Sequence, residues 1–211
     1  MNLTDHYYYF TEVLTPKFCD DVIKYGTAQQ EHIALTGNQT EKHKKGQLSK
    51  EDLRDLKKQR DSNIAWLNDR WIYKEIQPYI NEANRLANWN FDWDWSESCQ
   101  FTKYKLNQFY DWHCDSWPSP YNNPEDMNTH GKIRKLSVTC SLSPPEDYEG
   151  GELEFDFRNV EPEKSSVRKC TEIKGRGSIV VFPSHVWHRV KPVTKGTRYS
   201  LVIWNLGYPF K

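Results

Sequence analysis

No Cys-x-x-Cys pair occurs in these 211 residues, and neither charge sign is in excess: 29 Lys and Arg stand against 29 Asp and Glu. No apolar run approaches the ~18 to 20 residues that a membrane-spanning helix requires. The missing run argues against a helical membrane protein. A net charge of zero argues against a broad electrostatic grip on nucleic acid, leaving at most a local patch at Lys42–Lys45. Cys19, Cys99, Cys114, Cys140 and Cys170 are odd in number and irregularly spaced, a pattern of reduced thiols rather than of a disulfide framework. The opening MNLTDHYYYF has neither the basic start nor the apolar stretch of a secretory signal. A soluble cytoplasmic protein is the expectation.

Aromatic residues are abundant: nine Trp, twelve Tyr and nine Phe. Large rings bury much apolar area, so most belong to a core or a pocket wall. Grouped near a polar centre, they would suit a peptide-sized ligand. The length fits one substantial core.

The periodicity divides the chain into two parts of one domain. Residues 1–90 read as a mainly helical supporting region. Thr15 and Pro16 suit an N-cap and first helical position, followed by an apolar stripe of Phe18, Val22, Ile23 and Tyr25. The segment His32–Gln47 reads as an exposed loop, and Ser49 as the cap of a short polar helix bearing Leu53 and Leu56. A longer helix is predicted from near Arg70 to Ala87, with Trp71, Ile72, Ile76, Ile80, Ala83 and Leu86 on one side and a bend or break at Pro78. Residues 91–211 read as the β core. Phe91, Trp93 and Trp95 alternate with polar residues as in a half-buried strand. Further strands are predicted at Cys99–Leu106, Lys135–Leu142, Glu152–Phe157, Ser178–Phe182 and Tyr199–Trp204, punctuated by Gly and Pro. Several short strands so spaced indicate a sandwich or barrel. Trp117–Gly131 is a long irregular insertion of the kind that serves as a lid.

The stretch YDWHCDSW carries the first chemical signal. On a strand, His113 and Asp115 leave the same face and can meet one metal ion. A third ligand from a distant strand would complete a 2-His-1-carboxylate triad, with cis positions left open for substrate and oxygen. Alone, His-x-Asp is weak, since an ordinary exposed turn can carry it. Two histidines compete for the third place, His185 and His188 in VFPSHVWHRV. His188 is better placed for a strand resuming through Arg189, Val190 and Lys191. Zinc also suits two histidines and an acid. Arg198, ten residues past His188, favours iron: beside the His188 strand, its guanidinium could clamp the far carboxylate of a metal-chelating 2-oxo acid. A surface arginine on an edge strand is the plainer alternative.

Taken in order, Tyr104, Asn107–Tyr110, His113-x-Asp115, Arg134–Ser137, Tyr148–Phe155 (YEGGELEF), Val181–Val190 and Pro192–Trp204 resemble the iron- and 2-oxoglutarate-dependent dioxygenases of the prolyl 4-hydroxylase-like family. The similarity runs from near Gln100 to Trp204, and the host suggested is bacterial or phage. The fold it implies is α+β, a double-stranded β-helix (jelly roll) core with N-terminal supporting helices. By position, His113, Asp115 and His188 resemble the Fe(II) ligands and the catalytic centre. Arg198 resembles the residue that pairs with the C5 carboxylate of 2-oxoglutarate, Tyr104 a phenol bonded to that cosubstrate, and Trp204 a substrate-side aromatic. Ser141 departs from the pattern, standing where some relatives have a cosubstrate-contacting tyrosine.

The activity so implied uses Fe(II), 2-oxoglutarate and molecular oxygen, with ascorbate as activator. It hydroxylates a prolyl residue in a protein or peptide and releases succinate and CO2. The presence of Asp115 points to hydroxylation rather than halogenation, because related halogenases lack the carboxylate. Another residue, a small metabolite or a nucleobase is an alternative substrate. A non-catalytic metal- and peptide-binding module is the competing functional class. Neither a nucleic-acid nor a membrane partner is expected.

Overall fold

The computed structural model describes residues 3–35, 42, 46–47, 49–157 and 166–210. Helix α1, Pro16–Thr27, starts as local chemistry dictates: Thr15 Oγ1 accepts from the Phe18 N–H at 3.1 Å, and Pro16 fills a position where no N–H is needed. Helix α2, Lys50–Gln59, opens with a capping box. The Ser49 side chain accepts from the Asp52 N–H, and the Asp52 carboxylate accepts from the Ser49 N–H, both at 3.0 Å. Helix α3, Arg70–Leu86, buries Ile72, Ile76, Ile80 and Ala83. Its Asp69 carboxylate takes the Tyr25 hydroxyl at 2.6 Å and makes no side-chain cap bond.

Two expectations for α3 need correction. Pro78 does not interrupt it; proline removes one i→i−4 bond, while the completely buried isoleucines on either side hold both halves on the sheet. Trp71 and Leu86 are 39% and 42% exposed rather than on the buried face. Trp71 lies about 100° around the helix from Ile72, and Leu86 is the last helical residue. Most of the loop expected at His32–Gln47, including the basic cluster after Lys42, lies outside the described residues. His32 and Ile33 form a short strand.

The first part of the chain also supplies strands β1 (Tyr8–Phe10), β2 (His32–Ile33), β3 (Arg60–Asp61) and β4 (Asn63–Leu67). Then follow β5 (Trp95–Ser96), β6 (Cys99–Tyr104), β7 (Phe109–His113), β8 (Ile133–Ser141), β9 (Tyr148–Gly150) and β10 (Leu153–Phe157). The last are β11 (Ser166–Lys169), β12 (Ile179–Pro183), β13 (Trp187–Val190), β14 (Val193–Gly196) and β15 (Arg198–Gly207). An eight-stranded sheet runs β1-β12-β8-β15-β6-β4-β2, with β5 pairing β15; a five-stranded sheet runs β11-β10-β13-β7-β3; β14 pairs β9. The fold is α+β, with a multi-stranded core and its few helices in the N-terminal part.

The strand expected across Phe91, Trp93 and Trp95 is reduced to Trp95–Ser96. Phe91 and Trp93 do pack on the core. Their alternation marks which side is buried, but only isolated bonds such as Asp94 N–H to Leu206 O at 2.9 Å tie the backbone to the sheet.

The large sheet is covered on both faces. Ile179 and Val181, with Leu136, Val138, Leu201 and Ile203, join α1 and α3 in one core. Val180 and Phe182 point the other way and join Tyr104, Leu153, Phe155 and Val190 in a second core against the smaller sheet. Burial on both sides explains the unbroken apolar run of β12. The neighbouring strands use the same period differently: Ser137, Thr139 and Ser141 of β8 alternate with the apolar residues of the helix-side core. The interior facing the smaller sheet is therefore partly polar, and the candidate site lies there.

Candidate metal centre

His113 ends β7 and lies opposite His188 of β13 in the strand register. Asp115 sits beyond the end of β7, so a continuous strand face does not orient it, contrary to expectation. The Ser184 carbonyl instead accepts from the Asp115 and Ser116 N–H groups at 2.8 and 2.9 Å. A cross-link between two non-strand segments thus turns the carboxylate toward the histidines. Ligand atoms of His113, Asp115 and His188 all lie within 4.8 Å of one another. His113 Nε2 is 3.8 Å from Asp115 Oδ1, and His188 Nε2 is 3.6 Å from Oδ2. His185 is exposed in the turn between β12 and β13 and has no place in this cluster.

Each imidazole has its other nitrogen beside a backbone carbonyl: His113 Nδ1 is 2.7 Å from Asp111 O, and His188 Nδ1 is 3.0 Å from Val186 O. A carbonyl can only accept, so Nδ1 carries a proton, and Nε2 is the nitrogen turned toward Asp115 and offered to a metal. Burial lowers the His113 pKa well below the usual histidine value, and the neighbouring His188 lowers it further. Asp115 is pushed upward by burial, but the His188 and His113 rings, Arg134 and the Ser137 hydroxyl outweigh that and bring it to about 2. The donor set is two imidazoles and one carboxylate, which fits a divalent cation with positions left open.

His113, Asp115 and His188 line a small cavity of about 30 Å³ together with Tyr104, Arg198 and Trp204. Arg198, at 2% exposure, is neither on the surface nor on an edge strand: β15 lies between β8 and β6. Its Nη1 donates to Ser200 Oγ at 3.3 Å, and among the described residues no carboxylate forms an ion pair with it. It faces Tyr104 across β15 and β6, with Cζ 5.6 Å from the phenol ring centre. Burial raises the Tyr104 pKa, against the opposing influence of Arg60 and Arg198, so the phenol remains a donor. Trp204 is buried, with an indole N–H that has no partner among the described residues, and carries the Arg134 guanidinium 3.8 Å above its ring.

Sequence reasoning did not single out Ser137, whose Oγ donates to Asp115 Oδ2 at 2.7 Å. The available signal was the serine and threonine alternation in β8. Arg134, which the sequence offers only within a motif, is held by a two-point contact with Glu97 at 3.1 and 2.6 Å. The Trp117–Gly131 insertion is irregular, as expected, and is pinned by Tyr121: its hydroxyl donates to Glu97 at 2.8 Å, and its backbone exchanges bonds with Lys132 and Gly131.

Comparison with known proteins adds independent findings. Residues 99–205 match the family described as the 2OG-Fe(II) oxygenase superfamily. A PKHD-type hydroxylase of Idiomarina loihiensis is 34% identical over 102 residues, 48% of this chain and 38% of that protein. The match thus spans about two fifths of the length of such relatives. The fold resembles the viral collagen prolyl hydroxylase of Paramecium Bursaria Chlorella virus-1, with a TM-score of 0.62, 20% identity and 96% of each chain covered. It also resembles a Trichoplax adhaerens prolyl hydroxylase solved with a hypoxia inducible factor peptide, with a TM-score of 0.60, 18% identity, and 96% and 84% covered. Among the described residues no helix is long and apolar enough to cross a membrane.

Proposed function

Because the chain belongs to the 2OG-Fe(II) oxygenase superfamily, we propose that it hydroxylates a prolyl residue in a protein or peptide, using Fe(II), 2-oxoglutarate and molecular oxygen. One juxtaposition carries the reading: the His113, Asp115 and His188 ligand atoms share a buried cavity with Arg198, a guanidinium without a carboxylate partner among the described residues. A structural metal site has no use for such an arginine; a site for a dicarboxylate beside a metal does.

When bound, iron and 2-oxoglutarate supply the oxidising chemistry, in which one oxygen atom enters a C–H bond of the substrate and the other leaves in succinate, with release of CO2. The chain's own residues bind and orient. His113, Asp115 and His188 hold the metal on one side and leave positions open. Arg198 would receive the far carboxylate of the cosubstrate, and the Tyr104 hydroxyl would donate to it. The carbonyls of Asp111 and Val186 keep both imidazoles in the tautomer that a metal needs. Ser137 holds Asp115 so that it is not free to turn away.

For the substrate, Trp204 is the residue to which we assign contact. Its side chain lines the cavity, and the ring would offer a flat apolar surface to a peptide. The likeness of the fold to prolyl hydroxylases, one of them solved with a peptide, supports a prolyl target. In this reading the strands of 91–211 form the faces of a double-stranded β-helix, the supporting region 1–90 adds β1, β2 and β4 to the larger sheet and β3 to the smaller, and ascorbate would serve as activator.

The test is succinate formation by anaerobically loaded Fe(II) protein given oxygen, 2-oxoglutarate and a panel of proline-containing peptides. Products are scored by mass spectrometry for an added oxygen. Turnover lost in His113→Ala and Asp115→Ala supports the reading. Turnover with amino acids or nucleobases but no peptide would move the substrate class. Absence of turnover with every candidate would leave a binding module.

A further inference from the structure

Arg60 has no role in the reading above, yet it is buried to 4% exposure at the edge of the smaller sheet, where β3 pairs with β7 and Arg60 lies opposite Tyr110. Its Nε donates to Ser62 Oγ at 3.0 Å, and its Nη2 is buried with no partner among the described residues. Among the described residues no carboxylate forms an ion pair with it. A charge held out of water with incomplete hydrogen bonding is costly, so its position calls for a compensating contact.

That contact is aromatic. The Arg60 Cζ lies 4.4 Å from the centre of the Tyr110 ring. The same ring stacks on His113, with centres 3.5 Å apart and planes inclined by 14°. At those distances the guanidinium and the imidazole would overlap if they shared one face of the phenol. Tyr110 is therefore sandwiched, and Arg60, Tyr110 and His113 form a three-layer column ending at the candidate metal. Tyr110 also lines the cavity. The 2.7 Å contact of His113 Nδ1 with Asp111 O fixes one direction in the imidazole plane, but the ring can still rock about that direction. A flat partner against its face removes this freedom. A phenol ring held on its far side by a cation is a firmer partner than one free to tilt, because the cation is attracted to the ring face.

We propose that Arg60 is a positioning residue for His113, acting through Tyr110: it holds the phenol flat against the imidazole and so sets the plane in which Nε2 is offered to the metal. This rests on His113 being an iron ligand. The column reaches the site from the N-terminal part of the chain, so a residue far from the motif-bearing region tunes the metal centre.

The test measures metal binding without turnover. Fe(II) is titrated anaerobically into the full chain, and Co(II) is used as a second probe whose visible absorption reports ligand geometry. Arg60→Met, which fills similar space without charge or planarity, is expected to weaken Fe(II) binding about tenfold, the lower end of the range for outer partners of ligating histidines, and to change the Co(II) spectrum. In a Tyr110→Leu background the same substitution should add no further loss, because the intermediary is gone. Wild-type affinity and spectrum in a folded Arg60→Met protein would overturn the proposal and leave Arg60 a stabilising residue only. Equal losses with and without Tyr110 would overturn the route through that ring. Arg60→Gln, which removes the charge but keeps a polar head group near Ser62, gives an independent variant if Arg60→Met does not fold; unchanged binding and spectrum there would also overturn it. His113→Ala tests the underlying reading separately: Fe(II) binding like that of the wild type would remove His113 from the ligand set, whatever Arg60 does.

Discussion

Ser137 donates its hydroxyl proton to Asp115 Oδ2 at 2.7 Å, and Ser184 Oγ lies 2.9 Å from the same Ser137 oxygen. Since Ser137 gives its proton to the carboxylate, Ser184 is the donor in the second contact, and a short relay fixes Asp115 from behind. Ser137→Ala is expected to weaken Fe(II) binding roughly 10- to 100-fold, as for other outer-shell partners of metal ligands. The protein should stay folded, because an unsatisfied buried partner costs about 1–3 kcal/mol. Anaerobic titration beside a melting curve checks both. Unchanged metal affinity would remove Ser137 from the site.

The two histidines of VFPSHVWHRV should separate cleanly. His188 lies in β13 opposite His113, whereas His185 is exposed in the preceding turn. His188→Ala should abolish stoichiometric Fe(II) binding, and His185→Ala should leave it close to wild type. The reverse result would overturn the ligand assignment.

Arg198 is predicted to select the cosubstrate by its far carboxylate. Arg198→Ala removes no metal ligand, so Fe(II) binding should persist while 2-oxoglutarate binding weakens by about 2–5 kcal/mol, the cost of truncating a buried hydrogen-bonded charge pair. That corresponds to roughly thirtyfold or more in affinity. Arg198→Lys should restore only part, since an ammonium lacks the planar fork. Anaerobic calorimetry with 2-oxoglutarate measures it, and wild-type affinity in a folded Arg198→Ala protein would sink the clamp.

Gly151 makes room for the Arg198 side chain. Its φ is +65°, and a Cβ there would lie 2.9 Å from Arg198 Cδ and 3.0 Å from Val193 Cγ2. Gly151→Ala should therefore lower stability by about 1–2 kcal/mol from the left-handed backbone alone. It should also raise the KM for 2-oxoglutarate by displacing the arginine, with Fe(II) affinity unchanged. A melting-temperature loss with an unaltered KM would show that Arg198 accommodates the methyl group.

Local chemistry was legible in the sequence because its causes lie within a few residues. Thr15, Pro16 and Ser49 start α1 and α2 through bonds spanning three positions. Alternating and apolar runs located β6, β8, β12 and β15 of the large sheet and β10 of the smaller, but not β1, β2 and β4, which come from the part read as mainly helical; the ordered motifs pointed to His113, Asp115, His188, Tyr104, Arg198 and Trp204, which line one cavity. Alternation alone misled at Phe91–Trp95, since it records burial and not whether a backbone has a ladder partner. The effect of Pro78 depended on what packs against α3. Asp115 was expected to be aimed by a strand that in fact ends at His113; the Ser184 carbonyl and the Ser137 hydroxyl orient it instead. Those contacts, like the Arg60–Tyr110–His113 column, join segments far apart in the chain. Only the cross-strand register and the packing of the two sheets bring them together, so tertiary structure alone decided them.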